Sequence, residues 1–256
     1  MSNQKIILLA GRGISTNIIY HALKNDFTID TIILEDPVEK MTFLKKRIKK
    51  LGLWKVTGQI LFQLIIVNIL DLTASKRKRE IRKQFSMNNG PLPAEKIKRV
   101  TSVNDDSCLE LLKSIDPQLV VVNGTRIISK QVLECVGARF INIHAGITPK
   151  YRGVHGAYWA LLNNDEKNCG VTIHLVDEGI DTGGVIAQKA VTVSPKDNFV
   201  TYPLLQLAEG IPFLKKAIAD ILDNRLITVK GTDENGLWYH PGIGGYLYNR
   251  IVKGKK

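Results

Sequence analysis

Lys5 to Ala10 is an uninterrupted apolar run closed by Gly11-Arg12-Gly13, and Ser15-Thr16-Asn17 opens a second apolar stretch, Ile18 to Leu23, of helical length. That order predicts a buried strand, a tight turn and a helix. Phe27 to Leu34 reads as the next strand, ended by Glu35-Asp36-Pro37. Two further apolar runs, Leu119 to Val122 and Phe140 to Ile143, flank a short helix expected over Arg126 to Cys135. Strands that are apolar throughout and separated by helices bury both faces. They argue an α/β fold with a mostly parallel sheet, flanking helices and ligand sites at the strand carboxyl ends. Gly11, Asn123 and Asn142 fall at those ends. Tyr158 to Asn163 predicts a helix, and Gly170 to Val176 with Val185 to Val193 fit a hairpin or meander around a Gly-rich loop. Phe199 to Leu222, punctuated by Pro203 and Pro212, should be helical cover, and an aromatic-rich tail follows. The expected division is a unit over residues 1–210, interrupted by a helical insert at 41–89, and a C-terminal helix and extension over 211–256.

The insert breaks the alternation of strand and helix. Val56 to Leu70 is fifteen residues without a charge, interrupted by Gln59, Gln63 and Asn68 and short for a membrane span. Gln59 and Gln63 share one helix face, while Ile60, Leu61, Leu64, Ile65 and Val67 form a broad apolar side. Charge sharpens the picture. The chain carries a net +12, and residues 41–100 hold 15 Lys and Arg against only Asp71, Glu80 and Glu95, so the rest is neutral. Electrostatic attraction to a partner therefore belongs to this segment. Two readings stand: an appendage packed on its own domain or on the second subunit of a homodimer, or an interfacial helix touching anionic lipid through residues 45–83. Beyond Trp54 and Phe85 the segment lacks interleaved aromatics for base stacking, so nucleic acid is not favoured.

Composition adds limits. Cys108, Cys135 and Cys169 are too few and too scattered for a disulfide framework or a metal site, which fits a cytoplasmic protein and predicts no metal. The N-terminal apolar run is too short for a secretory signal and leads straight into a Gly turn. The chemistry concentrates in two segments. In a strand, Asn142 and His144 share a face, and Gly146, Pro149 and Gly153 then mark an exposed loop. Asp181 sits in a second Gly-rich loop, Gly179-Ile-Asp-Thr-Gly183. A carboxamide, an imidazole and a carboxylate together suit proton transfer and oxyanion stabilisation. His174 reads as an ordinary strand residue with a satisfied ring.

Asn142-x-His144, the Pro149-x-Tyr151-Arg152-Gly153 loop and Gly179-Ile180-Asp181-Thr182-Gly183, in this order and spacing, resemble the formyltetrahydrofolate-dependent formyltransferases. That family includes the glycinamide ribonucleotide, methionyl-tRNA and amino-sugar enzymes. The resemblance implies a Rossmann-like sheet, 10-formyltetrahydrofolate as formyl donor, a small-molecule amine acceptor, and Asn142, His144 and Asp181 as catalytic residues. It further implies folate contacts along Gly124, Thr125, Arg126 and Ile127 and along Val176, Asp177, Glu178, Gly179 and Ile180. Acceptor contacts would come from Lys150, Tyr151, Arg152, Gly153 and His155, with Gly11 and Gly13 able to bind an anion at a helix N-terminus. The matched loops look most like the branch that formylates amino sugars on nucleotide carriers for surface glycans; an acceptor linked to lipid is the variant that membrane contact would imply. The methionyl-tRNA branch carries a further C-terminal domain, and formyltetrahydrofolate hydrolases a domain in front, neither of which is expected here. A non-catalytic module binding anionic surfaces is the remaining alternative, and the intact triad speaks against it.

Overall fold

The computed structural model describes residues 5–255. Nine strands form: β1 (Ile6–Gly11), β2 (Ile29–Glu35), β3 (Ile97–Val100), β4 (Leu119–Asn123), β5 (Arg139–His144), β6 (Arg152–Gly153), β7 (Gly170–Leu175), β8 (Val185–Ala190) and β9 (Leu237–Trp238). Seven of them make one sheet in the order β3-β2-β1-β4-β5-β7-β8, while β6 and β9 pair separately. Strands β1 to β5 run parallel, and β7 and β8 are antiparallel. This is a mostly parallel, Rossmann-like α/β sheet. The helices are α1 (Ile14–Leu23), α2 (Lys40–Leu51), α3 (Leu53–Leu61), a π-helical stretch Phe62–Val67, α4 (Asn68–Thr73), α5 (Ser75–Gln84), α6 (Asp106–Ile115), α7 (Lys130–Leu133), α8 (Gly156–Leu162), α9 (Tyr202–Leu222) and α10 (Ile243–Val252).

The two-residue period of β1 divides the core. Ile6, Leu8 and Ala10 face the layer of α1, α5 and α9, and Ile7 and Leu9 face α6 and α7. A third cluster joins the insert to the C-terminal region: Phe62 packs on Phe199 and Tyr246, with ring centroids 4.9 and 5.0 Å apart.

Four expectations change. β3 is an edge strand of four residues with Lys98 and Arg99 exposed, too short and too polar to stand out as an apolar run. The helix expected over 126–135 shrinks to α7, because Gly124 to Ile128 is drawn into a loop by Glu35, which accepts the Arg126 backbone N–H at 2.9 Å and pairs with its guanidinium. α9 starts at Tyr202, not Phe199, and runs through Pro212, which costs the helix one donor without ending it. The insert helix runs from Leu53 to Thr73, 21 residues, long and apolar enough by length and composition to cross a membrane, because Leu53, Trp54 and Leu72 add apolar residues beyond Lys55 and Asp71, the charges that bound the run. Its glutamine face, moreover, is the one turned inward: Gln59 is buried and donates to the His240 carbonyl at 2.6 Å.

Candidate active site

Register places the chemistry. β5 and β7 pair antiparallel with Asn142 opposite His174 and His144 opposite Thr172, so both polar pairs emerge on one face at the carboxyl end of β5. His174 Nδ1 donates to the Leu175 carbonyl at 2.7 Å, which leaves Nε2 to accept from the Asn142 carboxamide at 3.2 Å. One Asn142 N–H is thereby committed and the other stays available. His144 Nε2 donates to the Tyr151 carbonyl at 2.9 Å, and its Nδ1 lies 3.3 Å from Asp181 Oδ1. That approach needs Gly146, since a Cβ there would sit 2.2 Å from the Tyr151 oxygen and 2.7 Å from His144 Nε2.

Asp181 arrives on a loop built for it. Asp177 accepts from the Gly179 N–H and the Thr182 hydroxyl at 3.1 and 2.6 Å, turning the chain, and Asp181 itself adopts a left-handed φ of 52°. Aspartate tolerates that region better than most residues. Gly183 admits no side chain, because its Cβ would meet the Leu175 oxygen at 1.8 Å. The carboxylate then bridges: Oδ2 accepts the Gly153 N–H at 2.9 Å, and Oδ1 faces His144 and, at 3.6 Å, His174 Nε2. Burial works against its charge, yet a proton on the facing His174 ring, or on that of His144, together with the Gly153 N–H holds its pKa below the usual carboxylate range. Burial pushes the His144 pKa below the ordinary imidazole value, and the Asp181 charge opposes that fall.

These side chains line a cavity of about 540 Å³. Asn142, His144, His174 and Asp181 are joined there by residues 124–128 from the loop after β4, by Val176, Asp177, Gly179 and Ile180, and by a wall of Arg47 and residues 237–240. The Asn142, His144 and Asp181 triad and most of the two expected folate loops therefore converge. Several other expected contacts do not line the cavity. Glu178 faces an adjacent shallow depression beside Lys130 and Glu134. Tyr151 is fully buried and its hydroxyl donates to Asp165 at 2.9 Å. Lys150 pairs with Asp165 and Glu234, each at 2.8 Å. Arg152 ties the two loops together by donating to the Ile180 carbonyl at 3.0 Å and to Asn235 at 2.6 Å. His155 packs on Phe199 and donates to His240 Nδ1 at 3.0 Å. Gly11 abuts Gly124, where a Cβ would come within 2.4 Å of the carbonyl, and Gly13 precedes α1; both lie outside the lining. Only Gly153, among the expected acceptor residues, borders the cavity.

His174 and Arg47 are residues that sequence reasoning passed over as site members, while Tyr239 and His240 belong to the aromatic tail, for which packing on the domain or lining a substrate edge were the two expectations. His174 was accessible in principle: it shares a strand face with Thr172, and pairing that face with Asn142 and His144 brings the two imidazoles together. Arg47 reaches the wall through Gln59, whose oxygen accepts from its Nε at 3.0 Å, a contact between two helices that no local pattern encodes.

Among the described residues no group of three or more His, Cys, Asp or Glu side chains could hold a metal ion. A sequence model described as formyl transferase matches residues 58–204. A methionyl-tRNA formyltransferase of Thermodesulfovibrio yellowstonii is 41% identical over 100 residues, 39% of this chain and 32% of that protein. Another from Caldanaerobacter subterraneus is 29% identical over 136 residues, 53% of this chain and 44% of that protein. The matches thus span a third to under a half of these relatives. In fold the chain is similar to a sugar N-formyltransferase from a Shewanella species, with a TM-score of 0.58 and 18% identity over 92% of this chain and 76% of that one. It is likewise similar to an N-formyltransferase of Helicobacter canadensis, described in complex with folinic acid and dTDP-3-aminofucose, at a TM-score of 0.54 and 19% identity, covering 91% and 70%.

Proposed function

Because this chain belongs to the formyl transferase family, we propose that it moves the formyl group of 10-formyltetrahydrofolate to the primary amine of an amino sugar carried on a nucleotide. The observation that carries this reading is the convergence of Asn142, His144 and Asp181 on one cavity floor between two loops. The cavity volume falls within the range of small-molecule sites. Val122, Ile128 and Val176 offer apolar surface to a flat heterocycle, and the peptide groups of the flanking loops can read its edges. The opposite wall combines the Arg47 guanidinium with Tyr239, a cation and an aromatic face that suit a nucleoside diphosphate. The folinic acid and aminofucose nucleotide named for the Helicobacter canadensis protein support the same donor and acceptor classes.

In this reading the amine attacks the formyl carbon and negative charge develops on the formyl oxygen. The uncommitted Asn142 N–H donates to it. Asp181, held ionised by its neighbours, is a poor base at neutral pH, so its work is to stabilise the imidazolium formed when His144 Nδ1, the nitrogen not committed to the Tyr151 carbonyl, takes the amine proton beside the carboxylate. Tetrahydrofolate leaves and recovers a proton from the same ring. The test is direct: purified protein with 10-formyltetrahydrofolate is mixed in turn with aminodeoxysugar nucleotides, glycinamide ribonucleotide and methionyl-tRNA, and tetrahydrofolate release is followed by absorbance. Release that depends on an amino sugar is expected. Release without any amine indicates hydrolysis and overturns the proposal. The sequence relatives named as methionyl-tRNA formyltransferases favour one second reading, and formylation of methionyl-tRNA alone would establish it.

A further inference from the structure

The insert helix is apolar on two sides. Its buried side packs Val56, Phe62 and Leu70 and also carries Gln59 and Gln63, which donate to the carbonyl and the Nδ1 of His240 at 2.6 and 2.7 Å. Its outer face is apolar: Trp54 is 88% exposed, Leu64 64% and Leu72 78%. The polar side chains near that face turn back on the helix, Asn68 donating to the Leu64 carbonyl at 2.7 Å and Thr73 to the Ile69 carbonyl at 3.0 Å. α10 packs beside α3 and exposes Tyr248 and Ile251 in turn. An apolar patch of this kind on a water-facing helix marks a contact surface.

We propose that this face is a docking surface for an anionic lipid bilayer, lying in the headgroup region without crossing it. Charge decides the occupant. Exposed Lys45, Lys46 and Lys49 precede the helix, and Lys76, Arg79 and Lys83 follow it, within the segment that carries the whole net charge of the chain. A second copy docked through the same face would bring two such segments together, and like charges oppose that contact. Bilayers with anionic headgroups attract it at about 1 kcal/mol per Lys or Arg near the surface. Attachment on either side of the helix midpoint opposes spanning: Gln59 donates to the His240 carbonyl at 2.6 Å before the midpoint, and Arg77 pairs at 2.7 Å with the buried Asp197 after the helix end, so both ends stay on one body. The inference does not depend on formyl transfer.

The full chain is sedimented with vesicles of phosphatidylcholine alone or with a third phosphatidylglycerol, and Trp54 emission is read with brominated acyl chains as quenchers. Binding confined to anionic vesicles, weakening with salt, with Trp54 blue-shifted and quenched, is expected. The double variant Trp54→Asp/Leu64→Asp, checked for fold by circular dichroism, should lose at least ~tenfold in partitioning, while Trp54→Phe retains it. No binding at low salt overturns the proposal, and so does binding that the double variant retains, or binding of the unaltered chain that leaves Trp54 unquenched. A dimer in sedimentation velocity that dissolves in the double variant, with no vesicle binding, would show that a second copy occupies the face.

Discussion

Asn142 reaches its place because of a residue on another strand. His174, fixed in one tautomer by the Leu175 carbonyl, takes one of its N–H groups and approaches Asp181 with the same nitrogen. Asn142→Ala or Asp181→Asn is expected to lower kcat about 10²- to 10³-fold with a folded protein, the usual cost of losing one preorganised group at a developing oxyanion or its base. His174→Ala should lower kcat by about tenfold, leave the donor KM near its starting value and shift the pH profile, as expected if His174 acts by positioning Asn142 and Asp181; single-turnover rates against pH measure it. Asn142, His144 and Asp181 were legible because residue type, order and spacing suffice to find them. His174 was not, because its role depends on which strands pair and in which direction. Tyr151 and Arg152 mislead in the opposite sense: they stand in the recognisable motif yet serve to hold the loop, a distinction that only the Asp165 and Ile180 contacts reveal.

Elements carry the next level of constraint. The parallel strands, the hairpin around Asp181 and α9 follow from apolar runs and turn residues, whereas β3 and the fold of the insert depend on tertiary partners. Arg77 of α5 clamps the insert to the body through Asp197, a carboxylate also held by the Ser194 N–H and hydroxyl. Arg77→Ala should destabilise the protein by about 2–3 kcal/mol in urea titration, since the serine contacts still compensate part of the buried charge. The C-terminal segment is fastened by neutral histidines. Burial, and next to it the His240 ring, pushes His155 down to about 3; burial, and next to it the Arg47 charge, pushes His240 down to about 4. Between these values and 6.5 the unfolded chain binds more protons than the folded one, so stability is full above pH 6.5 and is lost as pH falls through that window. For His155 the loss at two units below 6.5 is about 2–3 kcal/mol. A series of melting curves from pH 7 to 4.5 reads it, and His155→Gln should flatten the slope.

The whole molecule places its chemistry and its recognition on different pieces of chain. Chelators should leave turnover unchanged, because the groups expected to act are an amide, imidazoles and a carboxylate; inhibition by EDTA that zinc reverses would contradict this. The groups proposed to move protons and to meet the developing oxyanion lie between Asn142 and Asp181, while the other wall is assembled from Arg47 and from Tyr239 and His240. The wall pieces meet each other through Gln59 and Gln63, not through the sheet. Inheritance can therefore act on the two halves separately: a lineage could trade its insert and tail, and with them its choice of acceptor, while the reacting machinery passes on unaltered.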